Sequence, residues 1–232
     1  MRLDKYLSHS GQGTRNEVRQ LIKQGVVEVD GIVCNQAARH ITNEVVSVYG
    51  ERLKYEPFLY YMMHKPKGIL SASKDAKLPT AIDLLHGVNP LPVHVVGRLD
   101  IDSTGLLLLT NNGALAHKII SPKTKYPKHY HVSVREPLTP AQINRLETGV
   151  ELDGTMTKPC QVKTIDALTY EIILIEGRYH QIKKMMHVVA NEVLSIHRTQ
   201  IGPLHLDLQL QPGQHRALSK EEVIELTTYK NA

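Results

Sequence analysis

At 232 residues, with 41% hydrophobic and 22% charged residues, the chain has room for one mid-sized domain and a small module. No apolar run approaches the ~18 residues of a membrane helix, and the opening MRLDKYLSHSGQ carries charges where a secretion signal needs its apolar core. Cys34 and Cys160 are too few for a disulfide scaffold and fit a reducing, cytoplasmic setting; a net charge of +5 with 13 histidines suits a polyanionic partner.

Residues 1–54 read as a separate unit. Leu3, Tyr6 and Leu7 give the buried side of a short helix. Thr14 and Glu17 form a capping box, in which each side chain satisfies a free N–H at the start of a second helix. Val18, Leu21 and Ile22 are its apolar stripe, and Gly25 closes it. VVEVDGIVC then places two β-rich runs around Asp30-Gly31, a hairpin signal. Arg15, Arg19 and Lys23 recur at i, i+4 and i+8 on the helix side away from the stripe. Such a row is either a solvated face or a match to the phosphates of a nucleic acid, which give affinity without sequence choice.

Segment 49–57, YGERLKYEP, is polar, ends in proline and reads as a hinge leading into a second domain over 55–232. There FLYYMMHK, HVSV, YEIILIEG and LHLDLQL predict strands, while PTAIDLL, TPAQINRLETGV, QIKKMMHVVA and SKEEVIEL predict helices. Strands and helices do not alternate strictly, so the expected class is α+β, with a mixed, largely antiparallel sheet flanked by helices. No repeat or low-complexity tract interrupts it.

Three stretches carry chemistry. In GRLDIDSTGLLLLT, Leu106–Leu109 read as a buried strand, and Asp100 and Asp102 lead straight into it, so each needs a partner or a job. Asp102 and Ser103 also suit local turn caps, and Asp102 suits a supporting role as well. In KHYHVSV, His129 and His131 share one strand face and Tyr130 the other; no carboxylate or cysteine follows at ligand spacing, so no metal is expected. In IEGRYHQIKKMM, Ile182, Met185, Met186 and Val189 make a buried stripe, with Lys183 at its edge, in reach of a carboxylate such as Asp100. Phosphate-loop and dinucleotide motifs are missing, so no cofactor is expected. Ser103 lacks the sharp turn of a serine nucleophile.

The front module, through RLDKYL and TRNEVRQLIKQGVVEVDG, resembles the small alpha-L RNA-binding domain first known from a ribosomal small-subunit protein. The rest resembles the pseudouridine synthases, within the branch that modifies ribosomal RNA with such a domain in front. HKPKG, GRLDIDSTG, Lys128-x-Tyr130 and EGRYHQIKKM stand in that family's order, although His129 replaces a residue that is often threonine there. The resemblance implies Asp100 as the catalytic aspartate, Tyr130 as the ring that stacks on the target uracil and Lys183 as the aspartate's basic partner. It implies that Arg98 helps fill the gap left by the extruded base, that Arg15, Arg19 and Lys23 touch structured RNA, and that Arg178 binds RNA as well. Lys118, Lys123, Lys125 and Lys128 form a basic stretch placed to hold phosphates. His180-Gln181 and the short run past SKEEVIEL resemble the members that act on small-subunit (16S) rRNA. The implied reaction isomerises uridine without redox change or group donor, and the expected partner is small-subunit rRNA or an assembling subunit, met by a monomer off the membrane. Rival readings are a non-catalytic ribosome-assembly factor, a synthase acting on large-subunit rRNA and an N-glycosidase that releases the base.

Overall fold

The computed structural model describes residues 1–53, 55, 58–86 and 93–230. It divides into one unit over Met1–Leu59 and a larger one over Tyr60–His86 and Val93–Ala232.

In the first unit, α1 (Leu3–His9) and α2 (Arg15–Lys23) precede β1 (Val27–Val29), β2 (Ile32–Val33), β3 (Val46–Val48) and β4 (Glu51–Arg52), which form a sheet in the order β2-β1-β3-β4. The capping box is present: Glu17 N–H donates to Thr14 Oγ1 at 3.4 Å and Thr14 N–H to Glu17 Oε2 at 2.6 Å. Leu3, Leu7, Val18 and Ile22 close over Val27 and Val29 as a core. Asp30 and Gly31 both take positive φ, 54° and 76°, as the two-residue hairpin turn requires. Part of the expected hinge is instead the edge strand β4, and Tyr55 packs its ring 4.8 Å from that of Tyr6; residues 54, 56 and 57 of that segment lie outside the described residues.

The larger unit runs β5 (Tyr60–Lys65), β6 (His94–Val96), β7 (Thr104–Thr110), α3 (Gly113–Ile120), β8 (Lys128–Val134), α4 (Pro140–Thr148), β9 (Glu151–Leu152), β10 (Thr155–Met156), β11 (Gln161–Thr164) and β12 (Thr169–Leu174). It continues with α5 (Gln181–Val188), β13 (Val193–Ile201), β14 (Leu204–His205), β15 (His215–Ala217) and α6 (Lys220–Thr228). The main sheet has the order β11-β12-β8-β13-β7-β5-β15, with β14 on β13 and β6 on β7. Among the described strands only β13 and β7 run parallel, so the sheet is mixed and largely antiparallel. One apolar cluster joins Tyr130, Val132 and Ile172 to Ile182, Met185 and Met186 of α5. A second joins Met62, Leu106 and Leu108 to Leu115 and Ile119 of α3 and Leu226 of α6. The α+β expectation therefore holds, with helices applied to the sheet.

Local differences have local causes. PTAIDLL forms only a 3-10 turn, Ile82–Leu84, because the Asp83 carboxylate takes the Thr80 N–H and hydroxyl and closes a tight cap. LHLDLQL leaves the sheet after His205: Asp207 accepts the Gln209 N–H at 2.9 Å and turns the chain. The strand in YEIILIEG stops at Leu174, and Glu176 then caps other groups.

Candidate active site

The leucine run is the strand β7, with Leu106–Leu109 all fully buried. The register places Tyr130, Arg198, Gly105 and Lys65 in one row across four strands. A Cβ on Gly105, whose φ is +104°, would stand 2.3 Å from the Arg198 carbonyl oxygen, so only glycine lets β7 and β13 meet there. The buried side chains of Arg198 and Lys65 flank it. Arg198 donates to Leu106 O at 2.8 Å and Gly97 O at 2.9 Å.

The Asp100 loop, between β6 and β7, is fastened from the segment that follows β5. Lys65 Nζ donates to Ser103 O at 2.8 Å, Pro66 O at 3.0 Å and Ile101 O at 3.4 Å. Gly68 N–H donates to Ile101 O at 2.7 Å. Ser71 Oγ donates to Leu99 O at 2.7 Å and accepts the Leu99 N–H at 3.0 Å. HKPKG is thus the floor on which the acidic loop rests. Burial pushes the Lys65 ammonium down to about 8, against the pull of Asp102 and Asp100.

Asp100 meets Lys183 from the first turn of α5, Nζ to Oδ2 at 3.4 Å, as the sequence suggested. Asp102 is the nearer partner, its two oxygens 2.7 and 2.8 Å from the same ammonium. That pairing gives Asp102 a supporting role, beside the contact its carboxylate makes with its own backbone N–H. The Lys183 hydrogen bond holds the Asp102 carboxyl below the usual range, against partial burial. Burial disfavours the Lys183 charge, but the two carboxylates outweigh it and raise its pKa. His180 also reaches Asp100, Nε2 to Oδ1 at 3.6 Å. Sequence reasoning left Asp102 between a turn cap and a supporting role and missed the His180 contact, since each depends on where α5 docks.

Tyr130 is buried on β8 in the cluster that contains Leu99, beside Asp100, and Ile182, beside Lys183. Asp100 and Lys183 are thus paired, and Tyr130 belongs to the apolar cluster that includes a chain neighbour of each. Lys183 also lines a cavity of about 450 Å³ with Arg135, Glu136, His187, Asn191 and Glu192, to which neither Asp100 nor Tyr130 contributes.

The other expected contacts divide. Arg98 and Lys125 are exposed, Lys125 with a φ of 52°. Arg15 and Lys23 are exposed on α2, but Arg19 is tied to the buried Asp4 at 3.1 Å. Arg178 bonds Thr155 Oγ1 at 2.9 Å and Glu176 at 3.4 Å. The basic stretch needs correction. Lys128 faces inward with Tyr130, donates to Tyr126 O at 3.1 Å and is pushed by burial to about 8. Lys118 donates to Thr227 O at 2.9 Å and Tyr229 O at 3.1 Å at the end of α6. Only Lys123 and Lys125 of the four present exposed side chains. His129 pairs with Glu171 at 2.9 Å, and among the described residues no cluster of His, Cys, Asp or Glu is placed to hold a metal. No described helix is long and apolar enough to cross a membrane.

A carboxylate beside an ammonium, on a loop fastened by hydrogen bonds, suits chemistry at a flipped base. Known proteins agree. The pattern of the RNA pseudouridylate synthase family matches residues 59–188, and that of the S4 domain residues 1–45. The chain belongs to the RNA pseudouridylate synthase family. An uncharacterized RNA pseudouridine synthase of Bacillus subtilis is 43% identical, over 96% of this chain and 97% of that protein. Ribosomal small subunit pseudouridine synthase A of Vibrio cholerae is 38% identical, over 96% and 98%. A crystal structure of a pseudouridylate synthase superposes with a TM-score of 0.69 at 32% identity, covering 97% of this chain and 99% of that one.

Proposed function

We propose that this enzyme isomerises a specific uridine of small-subunit (16S) ribosomal RNA to pseudouridine, with Asp100 as the catalytic carboxylate. The observation that carries the site is the Asp100–Lys183 pair at 3.4 Å; Tyr130 lies in the same apolar cluster as Leu99 and Ile182, their chain neighbours. The small-subunit target is supported by the 38% identity to the Vibrio cholerae protein over nearly its whole length.

The reaction breaks the bond from uracil N1 to the sugar, turns the base and joins C5 to the same sugar carbon, with loss of the C5 proton. Whether it attacks or takes a proton, Asp100 must be ionised for this chemistry, and the Lys183 ammonium stands 3.4 Å from its carboxylate. Tyr130 offers the flipped uracil an aromatic face. Lys183 cannot drift away, because Asp102 holds it from the other side. Residues 1–54 serve as the RNA-binding front and 55–232 as the catalytic domain. Arg15, Lys23, Arg98 and Lys125 are exposed for phosphates; Arg19 and Arg178 would have to exchange partners to join them. The enzyme works as a cytoplasmic monomer in this reading.

The test maps pseudouridines by carbodiimide modification and primer extension in rRNA from cells lacking the gene. One stop in small-subunit rRNA that returns with wild-type protein and not with Asp100→Asn is the expected outcome. A stop restored only in large-subunit rRNA would refute the target, and one restored by Asp100→Asn would refute the catalyst.

A further inference from the structure

The reaction site leaves two aromatic rings of the third motif without a task. Tyr179 is 71% exposed, although it immediately precedes His180. Its ring lies on the His180 imidazole with centroids 3.8 Å apart and planes 20° from parallel. His180 in turn stands 3.6 Å from Asp100. The two rings therefore form a stacked pair whose inner member reaches the carboxylate through Nε2. The geometry has a conformational cost: His180 sits at φ 52°, a region that side-chain-bearing residues rarely adopt and that is found where the surroundings demand it. The ammonium of Lys184 lies over the Tyr179 ring, 5.7 Å from its centroid, while holding Asp153 at 2.5 Å.

Flipping a uridine out of folded RNA also unstacks its neighbour, whose base then needs a new surface. We propose that the outer face of Tyr179 seats the base adjacent to the target uridine, so that the site receives a dinucleotide step in single-stranded form. The inference rests on Asp100 being the reacting carboxylate. His180 acts as the spacer that sets Tyr179 one nucleotide from the uracil, and Lys184 is placed for the phosphate of that nucleotide.

Total RNA labelled with tritium at uridine C5, from cells lacking the gene, tests this through tritium release, whichever RNA holds the target. Tyr179→Ala should raise the half-saturating RNA concentration by about ten-fold or more, the scale of one lost base–aromatic stack, with the loss falling there rather than on kcat. Tyr179→Phe should restore most of it. The inference is overturned if Tyr179→Ala leaves half-saturation unchanged, if it lowers kcat alone, or if Tyr179→Phe is as impaired as alanine. Asp100→Asn, run in parallel, separates the two readings: release by that variant removes the site itself, whereas its silence beside an unaffected Tyr179→Ala removes only the stacking seat.

Discussion

On α2, Arg15 and Lys23 stand in solvent two helical turns apart, whereas Lys65, Lys128 and Arg198 in the larger unit are buried with their charges on backbone carbonyls. The same residue types thus do opposite work. An exposed cation costs little to keep hydrated and stays available to a phosphate. A buried cation has lost its water and must be repaid in hydrogen bonds, so it becomes a strut. Net charge alone cannot tell these apart. Strand parity can: Lys128 shares the inward side of β8 with Tyr130, Val132 and Val134, and Lys65 shares that of β5 with Tyr61 and Met63.

The contrast can be broken most forcefully at Arg198. Arg198→Leu fills similar space but strands the carbonyls of Leu106 and Gly97, and should lower stability by about 2–4 kcal/mol in urea unfolding. A loss under about 0.5 kcal/mol would show that this cation is no strut. Lys65→Met should cost about 1–3 kcal/mol, and because it frees the Asp100 loop it should reduce turnover more than RNA affinity. Lys65 and Lys128 also set a pH dependence. Both hold a proton less tightly folded, at about 8, than unfolded, so unfolding takes up protons between pH 8 and the ordinary lysine value of about 10.4. Stability should therefore climb from pH 8 to about 9.5, less steeply in Lys65→Met; a falling urea midpoint over that range in the wild type would contradict burial as the dominant influence on these two lysines.

Smaller effects sharpen the comparison. Asp102→Asn removes the nearer partner of Lys183 and should slow turnover by about ten-fold, the scale of one charge-assisted hydrogen bond, with Asp102→Glu recovering much of it. Equal turnover by Asp102→Asn would make that pair ornamental. Arg15→Ser with Lys23→Ser should leave the melting temperature unchanged and flatten the slope of log affinity against log salt by about 1.5–2. Arg19→Ser should differ from both, because it unties α2 from Asp4 and lowers stability as well.

Much of this was legible where a local rule decides. The Thr14–Glu17 box, the Asp30-Gly31 turn and the Leu106–Leu109 strand need no distant partner to be read. The family's motifs marked Asp100, Tyr130 and Lys183, of which the fold pairs Asp100 with Lys183. What escaped depends on tertiary placement. β13, VLSIHRTQI, shows no clean apolar alternation, with the polar run His197–Gln200 concealing a buried arginine, yet it lies between β8 and β7 near the centre of the sheet. α3 opens on Gly113, a poor helix residue, rescued by the Asn112 cap on Leu115 N–H at 3.1 Å. Lys128 looked like a phosphate ligand because the basic stretch before it hides the point at which the strand begins.

The most direct measurement compares wild type and Asp100→Asn on one rRNA preparation, reading single-turnover tritium release and filter binding together. The expected result is no detectable release with affinity within about three-fold of wild type, since one carboxylate matters little among many phosphate contacts. Turnover within ten-fold of wild type, which is less than about 1.4 kcal/mol of barrier, would contradict Asp100 as the catalytic carboxylate.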